Sequence, residues 1–567
     1  MRRGAASPVV WALLRGLLAA VVMATGLSAC ASLPEPQPRA TTTAWPAPQD
    51  TLLGRVASAG APNARYSGFK LVASGEEALG TLVALADHAE RTLDLQYYLI
   101  HPDASTRAIF ARVLAAADRG VRVRVLLDDM HTAGSDAALL KLAAHRNVEV
   151  RLYNPFPAGR ASTITRVMAS LTDIARINHR MHNKMFVADN ALALTGGRNL
   201  GDAYFLRSSD TNFLDLDALV AGPVVRQLSS AFDRYWNSSH AWLIEELAPR
   251  GSQPAAASAP AAASAFAPDD RGTPVSKGQH ASVDLKDAVA GRSSQPLPQP
   301  RRDAPSSQPS PEVVATVPQV DLPAQIRAGR LPLTWAPATV IVDKPSKIAS
   351  EGNPDQDETL ADDVVEIAKA AQTELVLISP YFVPGKRGVA LLRSLRERGV
   401  VIRILTNSLA ATDAAAVHTG YARYREDLLR MGVELHELRA RPGGGMRTKW
   451  GGSSGSGSGS SSASLHVKSM VIDGRTLLVG SMNLDPRSAY LNTELMLAVR
   501  SRELSQRVIQ LYQEAARTGS WRVTWETGPG MVWTAPDGQR VTTEPDAPLW
   551  LRALIKVLGP IAPEEML

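Results

Sequence analysis

The sequence predicts an α/β protein made of two similar lobes, and three observations carry that expectation. Apolar strand-like stretches alternate with helical stretches, the alternation recurs late in the chain, and a segment of different composition separates the two copies. In the first copy, residues 93–100 read as a strand and 105–119 as a helix stopped by Gly120. A second strand follows at 121–127, starting with alternating Val and Arg and becoming fully apolar. Strand, helix and strand at this spacing predict parallel pairing. In the second copy, 374–379 is strand-like, 389–398 helical, Gly399 a stop and 400–406 a strand. Asp118-Arg119-Gly120-Val121 and Glu397-Arg398-Gly399-Val400 mark the same junction in each copy.

The chain is 567 residues long, too long for one core, with 45% hydrophobic and 20% charged residues. That composition excludes global disorder and a many-helix transporter. A net charge of +6 says little about partners. Cys30 is the one cysteine, so an intramolecular disulfide and a zinc site built on several thiolates are both excluded. It closes a segment with the layout of a secretory signal. Arg2 and Arg3 come first, 16–29 is apolar, and Leu27-Ser28-Ala29-Cys30 resembles a bacterial lipobox with Cys30 as the lipidation site. An uncleaved signal anchor is the alternative. Both place the bulk of the chain outside the cytoplasm, facing the periplasm of a bacterial cell envelope, with the choice of membrane left open.

The expected divisions are signal 1–30, tether 31–50, first lobe 51–250, linker 251–321, second lobe 322–533 and C-terminal amphipathic tail 534–567. From 251 to 312 more than half of the residues are Ala, Ser or Pro, and Phe266 is the one aromatic. Such a segment cannot bury enough apolar area to offset its ordering entropy. Residues 451–462 are almost pure Gly and Ser and read as a second flexible loop.

Each copy carries the same set of polar residues. His182, Lys184, Asp189 and Asn199 in the first are matched by His466, Lys468, Asp473 and Asn483 in the second, with identical spacings. Side chains two apart on a strand share a face, so each histidine projects with its lysine, while Val467 and Val471 turn to the core. Asp473-Gly474 reads as a hairpin turn with 476–479 returning antiparallel, which lets Ser481 and Asn483 reach the mouth where His466 and Lys468 emerge. Asp189 and Asp473 have the other parity and read mainly as turn and scaffold residues, direct catalysis being the alternative.

Two His-Lys-Asn sets facing one another would cradle a phosphodiester, the lysines and amides meeting charge that spreads over its oxygens in the transition state. One imidazole can attack phosphorus to give a phosphohistidine while the other protonates the departing alkoxide. No metal or other cofactor is needed. A nucleophilic imidazole needs its second nitrogen held by an acceptor, and Glu494 and either Asp215 or Asp217 are the candidate carboxylates. Which carboxylate serves which histidine is open.

The duplicated cassette resembles the phospholipase D superfamily. Asp94-Leu95-Gln96-Tyr97-Tyr98, Gly196-Gly197-Arg198-Asn199 running on to Phe205, Tyr381-Phe382-Val383-Pro384, Thr406-Asn407-Ser408 and Asn483-Leu484-Asp485-Pro486-Arg487-Ser488 narrow it. Together they are similar to bacterial cardiolipin synthases, most nearly the cardiolipin synthase C type, from about Leu52 to Trp533 without the linker. The resemblance implies two α/β sandwich lobes about a pseudo-twofold axis sharing one site, with Asp215 rather than Asp217 as the carboxylate on a histidine. It also implies transfer of a phosphatidyl group to the headgroup hydroxyl of phosphatidylglycerol, with phosphatidylethanolamine as a donor. The partners are therefore phospholipids and a membrane surface, with no nucleic acid expected. Gly197 stands where many members have Ser, so the first lobe lacks the hydroxyl that Ser481 offers to substrate. The lobes are then unequal, with His182 read as nucleophile, His466 as acid/base, and the reverse left open.

A phosphodiester hydrolase acting on lipid or nucleic acid, and a non-catalytic lipid-binding lipoprotein, are the competing readings. Residues 549–558 are amphipathic, with Arg552 and Lys556 four apart, and either lie in a lipid interface or pack on the second lobe. Arg176, His179 and Arg180 read as a solvated helix face or as collectors of acidic headgroups. His418 is a core or an entrance residue.

Overall fold

The computed structural model describes residues 33, 38–157, 159–160, 165–166, 174–247, 321–349, 359–442 and 461–558. The signal segment with Cys30, the 251–312 linker and residues 451–460 lie outside them. In the first half the strands are β1 (Ser67–Val72), β2 (Thr92–Tyr97), β3 (Arg122–Asp128), β4 (Val148–Tyr153), β5 (Met185–Ala188), β6 (Leu192–Gly196), β7 (Thr211–Leu214), β8 (Asp217–Ala221) and β9 (Ala241–Leu243). After the linker come β10 (Thr334–Ala336), β11 (Ala338–Val342), β12 (Glu374–Ile378), β13 (Val401–Asn407), β14 (Glu434–Leu438), β15 (Ser462–Leu465), β16 (Ser469–Ile472), β17 (Thr476–Gly480) and β18 (Leu495–Arg500). The last three are β19 (Ser520–Glu526), β20 (Gly530–Thr534) and β21 (Arg540–Val541).

One sheet has the order β10-β1-β8-β6-β5-β2-β3-β4-β9, the other β11-β18-β17-β16-β12-β13-β14-β19-β20-β21. The predicted parallel pairing holds for β2 with β3 and for β12 with β13, and the structure adds β4 and β14 as further parallel strands. The β5–β6 and β16–β17 hairpins and their neighbours are antiparallel, so both sheets are mixed. Helix Ala104–Asp118 crosses from β2 to β3, its first turn capped by Asp103. Gly385–Glu397 does the same between β12 and β13. Both helices end before a glycine at positive φ, Gly120 at 96° and Gly399 at 84°, which lets the chain turn back into the next strand without Cβ strain. That need explains the repeated Arg-Gly-Val junction.

The two sheets face each other across one apolar layer. Val187, Ala193, Val220 and Phe232 of the first half pack there with Val376, Val467, Val471, Leu477 and Leu497 of the second. The outer faces carry separate cores, one around Leu82, Phe110 and Val125 and the other around Leu375, Leu395 and Ile404. Because the shared layer joins both halves, removing these surfaces from water also fixes the lobes against each other. A short parallel ladder, β7 with β15, adds main-chain bonds across the same boundary.

Three expected divisions shift. The tether is laid on the first lobe from Arg39 onward. Arg39 pairs with Glu246 at 2.5 Å, Arg124 donates to the Thr42 carbonyl, and the Ala44 amide donates to Asp233. Polar anchors spaced along an apolar-poor segment hold it without a core of its own. The stretch from 322 belongs to the first lobe, because Leu322 and Ile326 join its outer core and β10 pairs with β1. The tail begins inside the second sheet, since β21 extends it and buried Ala535 and Ala547 follow the body of the lobe. Helix Leu549–Leu558 packs beside helix Ala415–Arg430 yet leaves Leu549, Trp550 and Val557 exposed.

Candidate active site

Each histidine and lysine sits on the extended residues that lead into a hairpin, β5–β6 or β16–β17. The hairpin turns use left-handed residues, Asp189 (φ 55°) with Asn190 (53°) and Asp473 (51°) with Gly474 (59°), as primed turns require. The aspartate carboxylates then cap the start of the neighbouring strand. Asp189 accepts the amides of Glu90, Arg91 and Thr92, and Asp473 those of Gln372, Thr373 and Glu374. Both aspartates are therefore at the far end of their strands from the histidines, tying β2 and β12 to the hairpins.

At the near ends the two cassettes meet. The His182 amide donates to the Thr493 carbonyl and the His466 amide to the Leu214 carbonyl, so each histidine is held by backbone of the opposite lobe. The side chains cross over in the same way. His182 Nδ1 lies 3.0 Å from both oxygens of Glu494, and His466 Nδ1 lies 2.5 Å from Asp215 Oδ2. Asp217 is turned away to Arg198. Each lysine donates to the carbonyl of its own histidine, Lys184 to His182 at 2.6 Å and Lys468 to His466 at 2.5 Å. An ammonium has three donors, so this bond fixes its position and leaves others for a ligand. Asn199 donates to the Tyr204 hydroxyl, while the side-chain oxygens of Asn199 and Asn483 have no partner among the described residues.

The two carboxylates differ in state. Burial pushes Glu494 up to about 7, against the pull of Lys184 and the hydroxyls of Ser481 and Ser488. Burial also raises Asp215, but the adjoining His466 imidazole, Lys468 and Arg198 outweigh it and hold that carboxyl below its ordinary range. His182 is driven well below the usual imidazole range by burial and by the charges of Lys184, Lys468, His466 and Arg487. Burial and Lys468 lower His466 as well, with Asp215 opposing. That charges from both cassettes act on His182 is the electrostatic sign of a single shared site. The lysines lose basicity through burial, Lys184 to about 7 and Lys468 to about 8.

Gly197 and Ser481 take unlike parts. The Ser481 hydroxyl donates to Glu494 Oε2 at 2.5 Å, so it braces the carboxylate that holds His182. A Cβ on Gly197 would lie 2.2 Å from Asp215 Oδ1, so glycine leaves the space that Asp215 fills.

Several residues that shape the site carry no expected role from the sequence. Tyr98 stands edge-on to His182 with centroids 5.0 Å apart, and Tyr204 and Phe213 flank His466 at 5.3 and 5.2 Å. Arg198 is buried and donates to Asp217 and to the carbonyls of Val72, Tyr204 and Asp215, fixing the loop that carries Asp215. Tyr98, Arg198, Tyr204 and Ser488 lie inside the segments that carried the family resemblance, the one available signal. Phe213 had only its distance of two from Asp215.

The residues before the first cassette do not form a solvated helix face, since His179 and Arg180 are buried and Arg176 is half-buried. Arg180 is fully buried, stacks on Phe156 at 4.6 Å and donates to the Ile177 and Asn154 carbonyls, while Arg176 donates to Asn154 and Pro155. They hold the turn into His182 together with Asp128, which accepts the Met181 amide. His418 is a core residue, packed on Tyr421 and 2.9 Å from Arg425. Among the described residues no group of three His, Cys, Asp or Glu is placed to hold a metal ion.

Comparison with known proteins agrees with this geometry. Residues 82–236 and 364–515 match the family model described as "Cardiolipin synthase, PLD-like domain", one copy per lobe. Cardiolipin synthase C of Escherichia coli (strain K12) is 35% identical over 500 residues, covering 87% of this chain and 94% of that protein. An uncharacterized Helicobacter pylori protein is 30% identical over 89% of this chain and 90% of its own length. Among solved structures, a phosphatidylserine synthase of Haemophilus influenzae superposes with a TM-score of 0.52 over 87% of this chain and 93% of that one, at 12% identity, which speaks for the fold. The chain belongs to the cardiolipin synthase family of the phospholipase D superfamily and is a phosphatidyltransferase of that superfamily.

Proposed function

We propose that this protein forms cardiolipin by moving a phosphatidyl group from one phospholipid to the headgroup hydroxyl of phosphatidylglycerol, through a phosphohistidine on His182. The crossed histidine–carboxylate pairs, with their carboxyls shifted in opposite directions, are the observation that supports the reading. A nucleophile must be neutral, which is the state that burial and surrounding cations impose on His182. A general acid must hold a proton, and the Asp215 carboxylate opposes the burial and the Lys468 charge that lower His466.

In the first step His182 Nε2 forms a bond to phosphorus, the bond from phosphorus to the donor headgroup oxygen breaks, and His466 gives that oxygen its proton. In the second, the acceptor hydroxyl returns a proton to His466, its oxygen bonds to phosphorus and the N–P bond breaks. Lys184 and Lys468 stabilise the phosphoryl oxygens throughout, with the amides of Asn199 and Asn483 as further donors. Phosphatidylethanolamine as donor would release ethanolamine. Attachment to the membrane rests on a lipidated Cys30 facing the periplasm. No helix among the described residues is long and apolar enough to cross a bilayer.

The test is lipid mass spectrometry on a cardiolipin-deficient bacterium expressing the chain. Cardiolipin should appear, and should vanish with His182→Ala or His466→Ala. Phosphatidic acid rising with no cardiolipin would identify a hydrolase and overturn the proposal.

A further inference from the structure

In the first lobe, helices Gly75–His88 and Ala104–Asp118 pack together over the outer face of the sheet, closing it. Their counterparts in the second lobe, Leu360–Lys369 and Gly385–Glu397, stand apart. Between them runs a groove of about 460 Å³, within the roughly 300–1,000 Å³ range of small-molecule sites. Its floor is apolar, formed by Leu375, Leu377, Met470 and Met482, and Phe382 and Leu391 line it further.

The groove adjoins the candidate active site through one segment. Ser481 braces Glu494, the carboxylate that holds His182, and the next residues Met482 and Leu484 line the groove, so this segment borders both. Asp485, next along, is buried at the same wall, where burial raises its carboxyl to about 7. A carboxyl raised that far opposes an apolar occupant less than an ordinary carboxylate would. At the rim, Lys386 and Arg387 stand in the first turn of helix Gly385–Glu397, and Arg387 reaches across to Asp362 on the other helix at 3.2 Å. Apolar depth, a cationic rim and a shared wall with a phosphodiester site match the parts of one ligand class, a glycerophospholipid.

We infer that this groove holds an acyl chain of the phospholipid whose phosphate lies between His182 and His466. The inference rests on the proposed phosphatidyl transfer for the identity of the site it adjoins. The chain enters past the rim cations and lies on Leu377, Met470 and Met482, removing apolar surface from water and fixing the reacting phosphate by its tail. The Asp362–Arg387 pair then acts as a clasp across the entrance rather than as a stability device, since exposed pairs contribute little.

Two measurements test it. Full-length protein in phosphatidylglycerol vesicles is exposed to a phospholipid with a photoactivatable group at the end of one acyl chain, and the adducts are mapped. Adducts on groove residues such as Leu391 or Met482 are expected. Adducts found elsewhere, or none, would overturn the inference even if cardiolipin is made. Ala361→Trp and Leu391→Trp, both at half-buried positions on facing helices, then fill the groove. They should lower turnover of long-chain lipid at least tenfold while leaving turnover of a dihexanoyl analogue within twofold, which also shows that the variants fold. Equal losses for both chain lengths would count against the groove. Should the wild-type chain make no cardiolipin, the phosphatidyl-transfer reading fails, and the adduct map still decides where the chain binds.

Discussion

The two lobes carry the same cassette and use it differently. In the first, a glycine at 197 leaves room for a short carboxylate, and Asp215 takes that space to hold the histidine of the other lobe. In the second, a serine at 481 meets a longer carboxylate, and Glu494 is braced by two hydroxyls. The pair of positions therefore varies together: the smaller backbone residue goes with the aspartate in contact with Arg198's loop, the hydroxyl with the glutamate. The outer faces diverge too, closed by packed helices in one lobe and open along a groove in the other. Duplication supplied a symmetric cradle, and small changes in side-chain volume made its two halves chemically unequal.

The sharpest way to break this comparison is to remove each histidine in turn. His182→Ala and His466→Ala should each lower natural-substrate turnover by about 10⁴-fold or more. A phosphodiester with a p-nitrophenolate leaving group needs no general acid, so His466→Ala should regain formation of the covalent intermediate and His182→Ala should not. Recovery in His182→Ala instead would reverse the assignment.

The carboxylates come next. Asp215→Asn should cost about 10²-fold in kcat, because it removes the charge that favours a protonated His466. Glu494→Gln, replacing a carboxyl already raised to about 7, should cost several-fold less. Equal losses in steady-state assays would show that the two carboxyls do the same work.

Gly197→Ser places a side chain where Asp215 sits, so overpacking of about 1–3 kcal/mol and displacement of Asp215 are expected in thermal melts and activity. Ser481→Gly removes the donor to Glu494 and an acceptor of the Leu495 amide, about 1 kcal/mol for each bond, without overpacking, and should be the milder change. A stable, fully active Gly197→Ser would show that the lobes are interchangeable at this position.

The smallest effect is on pH dependence. Lysines bind phosphate as ammonium ions, the form that exists below their pKa, so kcat/KM should fall as pH rises through about 7 to 8. The acid limb, set by protonation of His182, should begin well below the ordinary imidazole range. Lys468→Arg keeps a charge throughout and should leave a single alkaline step governed by Lys184. A profile flat from pH 7 to 9 would remove the lysines from substrate binding.

Much of this was legible before any fold was known. The Gly120 and Gly399 junctions located the crossovers because only a residue free to adopt positive φ ends those helices cheaply. Identical spacings located the cassettes because a strand fixes which side chains share a face. What escaped was contact between residues far apart in sequence. Arg176, His179 and Arg180 read as surface because their charges gave no hint of Asp128, Asn154 and Phe156 closing over them. Arg39 to Ala44 read as tether because its partners, Asp233 and Glu246, lie some two hundred residues away. The start of the second lobe was misplaced because a strand added to a sheet edge, β10 on β1, has no local mark of which sheet it joins.

By itself the sequence determined which polar residues recur together and how many times, since spacing on a strand and positive φ at a turn are local properties. Only the tertiary structure decided that each histidine is held by the opposite lobe, and that the Asp215 carboxyl is lowered where that of Glu494 is raised. Those outcomes depend on which charges burial brings within a few ångströms of one another, and that distance is set by how two sheets pack, not by how far apart the residues stand in the chain.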